Sequence, residues 1–104
     1  MDECLKACIE CAQACENCAD ACLKEQDVKM MADCVRLDMD CARICWLSAA
    51  FMSSKSSFSA KLCTVCAEIC EACGAECGKH KMDHCQRCAE ACRRCAQACR
   101  DMAA

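Results

Sequence analysis

The cysteines of this chain recur at alternating steps of three and four residues. The same register of five cysteines occurs three times: in Cys8, Cys11, Cys15, Cys18 and Cys22; in Cys63, Cys66, Cys70, Cys73 and Cys77; and in Cys85, Cys88, Cys92, Cys95 and Cys99. A mean step of about 3.5 residues is the period of the core positions of helices that pack in a bundle. Each run therefore predicts a helix whose thiols all lie on the face that packs against its neighbours.

The residues between the cysteines are typical of helices. Alanine, glutamate, lysine and arginine are frequent, and the chain of 104 residues contains no proline. We expect four helices, over Glu3–Glu25, Val28–Ser53, Phe58–Cys77 and His84–Met102, joined by short links. Helices of this length with short links pack as an antiparallel up-down-up-down bundle. The predicted fold is therefore all-α, a single four-helix-bundle domain over residues 1–104 with a cysteine-lined interior.

Polar residues and glycine mark the expected ends of these helices. Asp2 and Asp27 stand where N-cap residues accept hydrogen bonds from the first turn. Gly78 follows the second cysteine run, as a glycine just beyond a helix end often does. Asp83 and Gln86 have the spacing of a capping box. These signals predict the helix ends to within a few residues.

The second helix carries fewer cysteines than the others. Its expected core positions are Met30, Cys34, Leu37, Cys41, Cys45, Ser48 and Met52. Because it also carries Trp46 and Phe51, we expect it to contribute more ordinary packing than metal binding. Asp38 lies beside these core positions, and we expect it to be solvated or to accept hydrogen bonds, since a carboxylate is a poor ligand for a soft metal.

Charge and composition exclude several classes of function. The chain has 13 Lys and Arg against 16 Asp and Glu, and its basic residues do not form the stripe that nucleic-acid binding requires. Charged residues also recur too often for a membrane span. The segment Met1–Lys6 has neither the basic nor the apolar region of an export signal. We therefore expect a cytosolic protein that binds neither nucleic acid nor membrane.

The 19 cysteines are too many and too regular for ordinary packing. A buried cysteine packs as a small hydrophobic residue, but it also invites oxidation. The count is odd and the cytosol is reducing, which favours thiols or metal thiolates over a disulfide scaffold. Cysteines three or four residues apart on a helix can converge on one ion. The sequence therefore predicts a protein that binds metal in its core.

The choice of metal follows from ligand chemistry and charge. Thiolates select Cu(I), Zn(II) or iron–sulfur clusters, and the cysteine spacing of ferredoxins is absent from the sequence. A buried zinc tetrathiolate carries two net negative charges, whereas a Cu(I) ion that replaces a thiol proton leaves the charge of the core unchanged. Because buried charge is costly, a long column of thiolates favours Cu(I), at about one ion per cysteine.

Two other functions stay open at this point. A zinc or heavy-metal scavenger with a role like that of metallothionein would use the same thiols, although metallothioneins lack helical periodicity. A thiol redox enzyme or sensor would need one or two exposed cysteines of low pKa. The Cys-x-x-Cys pairs of this chain lie inside helices, as by-products of the repeat. We therefore expect no enzyme activity.

The antiparallel arrangement predicts two unlike ends of the bundle. One end brings together Cys22, Met30, Met31, Cys77, Lys79, His80, His84 and Cys85. We expect a polar opening there, at which the histidines are either outer metal ligands or exposed residues of the helix ends. We expect the two methionines at this end to be ordinary packing residues rather than metal ligands. We expect an apolar plug at the other end, formed by Leu5, Trp46, Phe51, Met52, Phe58, Leu62 and Met102.

Several segments resemble the bacterial cytosolic copper storage proteins. The likeness lies in the cysteine register, in Cys34–Asp38 with Cys41–Cys45, and in Cys70–His80 with His84–Cys85, and it extends over essentially the whole chain. The resemblance implies a four-helix bundle that holds many Cu(I) ions on cysteine thiolates and assembles into homotetramers. It also implies that the two histidines bind metal at the open end and that Asp38 is an occasional ligand.

The expected function is a cytosolic store that sequesters Cu(I). Its expected partners are copper ions, and the copper chaperones or small-molecule thiols that deliver them. The candidate metal ligands are His80, His84, Cys4, Cys8, Cys11, Cys15, Cys18, Cys22, Cys34, Cys41, Cys45, Cys63, Cys66, Cys70, Cys73, Cys77, Cys85, Cys88, Cys92, Cys95 and Cys99.

Overall fold

Four α-helices make up most of the chain in a computed structural model that describes residues 1–104. The elements are α1 (Asp2–Leu23), a short 3₁₀ helix (Val28–Met31), α2 (Ala32–Ser53), α3 (Ser59–Gly78) and α4 (Asp83–Ala103). There are no strands, so the all-α prediction is confirmed. A membrane span would need a longer apolar stretch than any of these helices provides.

Sulfur–sulfur contacts at the two ends of the bundle define its topology. At one end, Sγ of Cys4 in the first turn of α1 lies 3.5 Å from Cys99 near the end of α4 and 3.9 Å from Cys63 near the start of α3. At the other end, Cys22 of α1 lies 3.9 Å from Cys34 near the start of α2. Helices α1 and α3 therefore run one way, and α2 and α4 run the other. The predicted up-down-up-down bundle is confirmed, with dimensions of 44 × 18 × 17 Å.

The two predicted aspartate N-caps have different outcomes. Asp2 is the first residue of α1, and Met1 precedes it without a side-chain cap. Asp27 does cap, because its Oδ1 accepts a hydrogen bond from the Met30 amide at 3.3 Å. The segment that it caps is 3₁₀ rather than α-helix, and α2 proper starts at Ala32.

The link between α3 and α4 also differs from the prediction. Gly78 is the last residue of α3 and has no positive φ, so it is not a left-handed residue beyond the helix end. Asp83 lies inside α4, whose start has no side-chain cap. The Gln86 amide instead donates hydrogen bonds to the carbonyl of Gly78 at 3.3 Å and to that of His80 at 2.6 Å. Gln86 therefore stabilises the link between α3 and α4 by hydrogen bonds to its backbone, and the predicted capping box is wrong.

The core face of α2 differs from the prediction at two positions. Its buried residues at alternating steps of three and four are Met31, Cys34, Asp38, Cys41, Cys45, Ser48 and Met52. Met30 is 60% exposed, and Leu37 is only half-buried. The predicted core positions Met30 and Leu37 are therefore wrong, because the register continues through Met31 and Asp38.

Helices α3 and α4 pack closely at Gly74. A Cβ atom at Gly74 would lie 3.3 Å from Cβ of Cys92 and 3.5 Å from the carbonyl oxygen of Ala89. The absence of a side chain at position 74 therefore lets the two helices approach each other. Small buried residues beside the thiols, such as Ala67 and Ala96, support the same close packing.

The predicted apolar plug is only partly present. Met52 is buried, but Phe58 is 59% exposed and Trp46 is 38% exposed. Trp46 lies two turns before the end of α2 and donates its indole N–H to Oε2 of Glu16, in the middle of α1, at 2.8 Å. The large aromatic residues therefore lie on the outside of the bundle, and thiols fill its interior.

Candidate metal centre

All nineteen cysteine side chains lie in the core of the bundle. Eighteen of them are completely buried, and Cys4 at the end of the core is 2% exposed. None forms a disulfide. The 3,4 register places six thiols of α1, three of α2, five of α3 and five of α4 on the faces that meet at the bundle axis. We call this set of cysteines the thiol column.

The spacing of the sulfurs suits shared metal ions. Sulfurs from different helices approach to 3.1 Å at Cys34 and Cys77 and to 3.5 Å at Cys41 and Cys70. Other contacts across the column lie between 3.5 and 4.0 Å. A metal–thiolate bond of about 2.3 Å places two sulfurs of one ion about 3.8 Å apart in tetrahedral geometry and about 4.6 Å apart in linear geometry. Ions can therefore bind between these sulfurs with small movements of side chains.

The sulfurs form overlapping groups of four. Within each group the sulfur atoms lie within 4.8 Å of one another, as in Cys8–Cys66–Cys95–Cys99, Cys11–Cys41–Cys45–Cys70, Cys11–Cys15–Cys41–Cys92, Cys15–Cys73–Cys88–Cys92 and Cys18–Cys22–Cys34–Cys85. Cys11, Cys15, Cys41 and Cys92 each belong to two of these groups. A thiolate that belongs to two groups is placed to bridge two ions, so the geometry favours a chain of linked ions over isolated centres.

Burial keeps thiols at both ends of the column protonated. It raises the pKa of the Cys63 thiol to about 12, and the nearby Cys4 sulfur adds to this effect. It raises the pKa of the Cys85 thiol to about 11, with a further contribution from Cys34, and it also raises the pKa of Cys22. A metal ion that binds Cys22, Cys63 or Cys85 must therefore displace the proton of that thiol.

Asp38 is a completely buried carboxyl group within the thiol column. Its Oδ1 accepts hydrogen bonds from Cys73 at 3.2 Å, Cys77 at 3.3 Å and Cys88 at 3.2 Å, and its Oδ2 lies 3.8 Å from Cys34. Burial, together with the neighbouring Cys88 and Cys34 sulfurs, raises the pKa of Asp38 to about 8. Of the two roles predicted for this residue, the structure shows hydrogen bonding and not solvation.

His84 connects the thiol column to the surface. Its Nδ1 lies 3.4 Å from Sγ of Cys18 and 3.5 Å from Sγ of Cys85, and its Nε2 lies 3.0 Å from Oε2 of Glu25. A carboxylate only accepts hydrogen bonds, so Nε2 donates, and in the neutral imidazole the lone pair of Nδ1 then faces the sulfurs. A carboxylate that orients a histidine in this way is a common feature of metal sites. Glu25 was not predicted as a functional residue, because it lies just beyond α1 and no sequence motif marks it.

His80 lies at the same end but makes a different contact. Its Nε2 lies 3.1 Å from Oε2 of Glu76, one helical turn earlier, and its side chain is 10% exposed. This hydrogen bond is to a carboxylate and not to a thiol. The structure therefore brings His84 to the cysteine sulfurs and pairs His80 with Glu76 instead. The separation of four residues between Glu76 and His80 was the sequence signal for this pair.

The neighbouring methionines do not behave alike. Met31 is 1% exposed and packs in the core, whereas Met30 is 60% exposed. The expected packing role therefore applies to Met31 only. We call the region of Cys22, Cys85, His80 and His84 the histidine end of the bundle.

Comparisons with known proteins place this arrangement in a family. The family model described as copper storage protein matches residues 1–104. No curated protein matches the chain. The match to the family model covers the whole thiol column and both histidines.

Solved structures agree with the family model. The Cu(I)-bound copper storage protein BsCsp3 is 50% identical, with a TM-score of 0.96, over 99% of this chain and 97% of that chain. The apo copper storage protein 3 from Bacillus subtilis is also 50% identical, with a TM-score of 0.92, over 99% and 98% of the two chains. A cytosolic copper storage protein from Streptomyces lividans, solved with five coppers, is 44% identical, with a TM-score of 0.95, over 99% of this chain and 91% of that one. The chain belongs to the copper storage protein family.

Proposed function

We propose that this protein stores Cu(I) along the axis of its bundle, at about one ion per cysteine. The observation that carries this proposal is the thiol column, in which nineteen thiols are buried and sixteen of them lie in five groups of four, three of which share sulfurs. A thiolate that bridges two ions serves both of them, so the number of ions approaches the number of thiolates. All the cysteines are ligands in this proposal, and His84 and His80 are ligands at the histidine end.

The charge of the core favours Cu(I) over Zn(II). Apart from the cysteines, Asp38 is the only buried residue with an ionisable side chain. No lysine or arginine is buried. A row of zinc tetrathiolates would therefore accumulate negative charge with no buried cation to balance it, which is costly in a core of low dielectric constant. Cu(I) replaces thiol protons one for one, and the core stays close to neutral.

Copper enters at the histidine end in this proposal. His84 offers Nδ1 toward Cys18 and Cys85 while Glu25 holds its other nitrogen, so the ring is oriented before the metal arrives. The opposite end has no histidine, and the buried Met52 lies beside its sulfurs, 4.0 Å from Cys63. An ion bound at His84 would pass directly to Cys18 and Cys85, whose sulfurs contact the histidine ring.

The store works in the cytosol and has no catalytic activity. The Streptomyces lividans relative is described as cytosolic, which supports this location. Every thiol of this chain is buried, which disfavours a redox enzyme that needs an exposed nucleophilic cysteine. We propose that copper chaperones or small-molecule thiols deliver the copper.

Homotetramers are the proposed assembly. The outer face of α2 exposes Met39, Trp46 and Leu47, and α3 exposes Val65, which leaves apolar surface for contact with further copies of the chain. Sedimentation equilibrium would then give the mass of four chains of 11.4 kDa each. A mass of one chain at micromolar concentration would contradict this part of the proposal.

An anaerobic titration tests the storage function. Fully reduced protein is titrated with Cu(I) against a chromophoric competitor while a pH-stat records released protons. We expect saturation near the nineteen cysteines of the chain, with about one proton released for each copper bound. A parallel titration with Zn(II) distinguishes the alternative, since tetrathiolate sites would saturate at about four or five ions. Saturation with one or two Cu(I) would overturn copper storage.

A further inference from the structure

A methionine lies at the end of the thiol column that is opposite the histidines. Met52 is the last core residue of α2 and is 2% exposed. Its Sδ lies 4.0 Å from Sγ of Cys63 on α3. The Cys63 sulfur lies 3.9 Å from Cys4 on α1, and Cys4 lies 3.5 Å from Cys99 on α4. Four sulfurs, one from each helix, therefore form the last layer of the core, which we call the Met52 end.

The Met52 end differs from the other layers in having a thioether among its sulfurs. In the core register of α2, the positions that are not cysteine are Met31, Asp38, Ser48 and Met52. Among these, Met52 is the one whose side chain contacts a thiol through sulfur. A thioether is a soft, neutral donor, and soft sulfur donors select Cu(I). The distance between Sδ and the Cys63 sulfur suits two donors of one ion, given metal–sulfur bonds of about 2.3 Å.

We propose that Met52 is a Cu(I) ligand that, with Cys4 and Cys63, forms the terminal copper site of the column. This site deepens the proposed storage function and rests on it. As the ion binds, it replaces one thiol proton, which goes to solvent, and the second thiolate is shared with the neighbouring ion of the column, which has replaced the other proton. The thioether binds through a lone pair and loses no proton. The formal charge of copper does not change in this step.

A neutral ligand suits the last position of the column for a reason of charge. Inside the column a thiolate can bridge two ions, so two copper ions share its negative charge. At the last layer there is no further ion beyond the core. A fourth thiolate there would leave a buried negative charge unbalanced, which is costly. The thioether completes the coordination of the terminal ion without adding charge.

Methionine is also a common gap-filler in protein cores, so the test must separate ligation from packing. Methyl resonances of the seven methionines provide this test in protein labelled with ¹³C at the methionine methyl groups. Met52→Leu, which roughly conserves volume, assigns the Met52 signal by its disappearance. Met102 is half-buried against the same end of the core, and Met102→Leu assigns a matched control signal.

With the column fully loaded with Cu(I), we expect the Met52 methyl resonance to shift well beyond that of Met102. Zn(II) prefers nitrogen, oxygen and thiolate ligands, so zinc loading should leave the Met52 signal close to its apo position. A second readout is the copper retained against a strong competitor. Met52→Leu should retain about one Cu(I) per chain fewer than the wild type, and Met102→Leu should retain the wild-type number.

The outcomes separate this inference from the storage function. If the chain loads about one Cu(I) per cysteine while the Met52 methyl moves no more than that of Met102, the methionine is packing and the inference is overturned, although storage stands. Equal copper retention by wild type and Met52→Leu leads to the same conclusion. If the wild type binds only one or two Cu(I), the storage function itself fails, and the terminal site fails with it.

Discussion

The thiol of Cys88 donates a hydrogen bond to Oδ1 of Asp38 at 3.2 Å, inside a core with no contact with solvent. Two further thiols, of Cys73 and Cys77, converge on the same oxygen. The carboxyl group is therefore embedded among the side chains that metal ions would share. Its raised pKa, about 8, links its protonation to the stability of the apo protein.

Stability of the apo protein should fall as the pH rises because of Asp38. The pKa of this group is raised from 3.8 to about 8 in the folded protein, so between these values the folded chain holds a proton that the unfolded chain has released. Unfolding then releases a proton, and the free energy of unfolding decreases by up to about 1.4 kcal/mol per pH unit. Urea unfolding of reduced apo protein from pH 5 to 7 measures this slope.

Asp38→Asn is the variant that isolates this effect. An amide of nearly the same shape stays neutral, so the slope contributed by Asp38 should disappear and the variant should gain stability relative to wild type as the pH rises. Parallel stability curves for the two proteins would show that the carboxyl group has no raised pKa in the fold.

Loss of the carboxylate behind His84 should slow copper uptake. Glu25→Gln keeps a hydrogen-bonding group near Nε2 but removes the negative charge that orients the ring and raises its basicity as a ligand. We expect the initial rate of Cu(I) uptake at limiting copper to fall about tenfold, with an unchanged final capacity. Stopped-flow absorbance in the thiolate-to-copper charge-transfer region measures the rate.

Glu16→Gln is the matched control for this experiment. Glu16 belongs to the same N-terminal part of the chain, but its carboxylate accepts a hydrogen bond from Trp46 rather than from a histidine. Its variant should load copper at the wild-type rate. Equal rates for all three proteins would mean that copper does not enter past His84.

The two glycines should respond in opposite directions to replacement by alanine. Gly74→Ala places a methyl group 3.3 Å from Cβ of Cys92, which cannot move without the backbone of α4, so the variant should lose about 1–3 kcal/mol of stability. A methyl group at Gly78 would meet no atom within 4 Å, and Gly78 is helical, so Gly78→Ala should gain about 0.5–1 kcal/mol. Denaturant unfolding of the apo variants measures both changes, and a stabilising Gly74→Ala would contradict the close approach of α3 and α4.

Replacing Ser48 by cysteine should extend the thiol column. The Ser48 hydroxyl is completely buried and has no hydrogen-bond partner, which costs about 1–3 kcal/mol. Ser48→Cys removes this group and adds a thiol to the core face of α2, so we expect a more stable apo protein and a capacity higher by about one Cu(I). Ser53→Cys adds an exposed thiol to the same helix and should leave the capacity retained against a competitor unchanged. Equal capacities for both variants would show that position 48 does not belong to the column.

The bundle and most of its thiols could be predicted from the sequence because a strict physical period fixes them. Fifteen cysteines in three identical registers leave one helix face available for each run. The core face of α2 was harder to predict, since only Cys34, Cys41 and Cys45 mark it. Leu37 was the expected core residue because it is hydrophobic, but a core position at 37 gives two consecutive steps of four residues, from 37 to 41 and from 41 to 45. A core position at Asp38 keeps the alternation of three-residue and four-residue steps.

The features that could not be predicted from the sequence depend on contacts between different helices. Asp38 is buried because thiols from α3 and α4 donate to it, and nothing within α2 indicates these partners. The same holds for Glu25, which follows α1 and meets His84 at the start of the neighbouring helix α4. Trp46 was predicted at an apolar end because it is aromatic, yet its indole finds a hydrogen-bond acceptor on the outside of α1.

The positions of bound copper ions in the bundle test directly whether the thiol column stores copper. Crystals of protein loaded with Cu(I) under anaerobic conditions would give anomalous scattering at the copper edge. We predict about nineteen copper peaks inside the thiol column, with more than one ion in each layer, from the layer of Cys4 and Met52 to that of Cys85 and His84. Copper peaks on the outer surface of the bundle, or four or five isolated tetrahedral sites, would contradict storage in the thiol column.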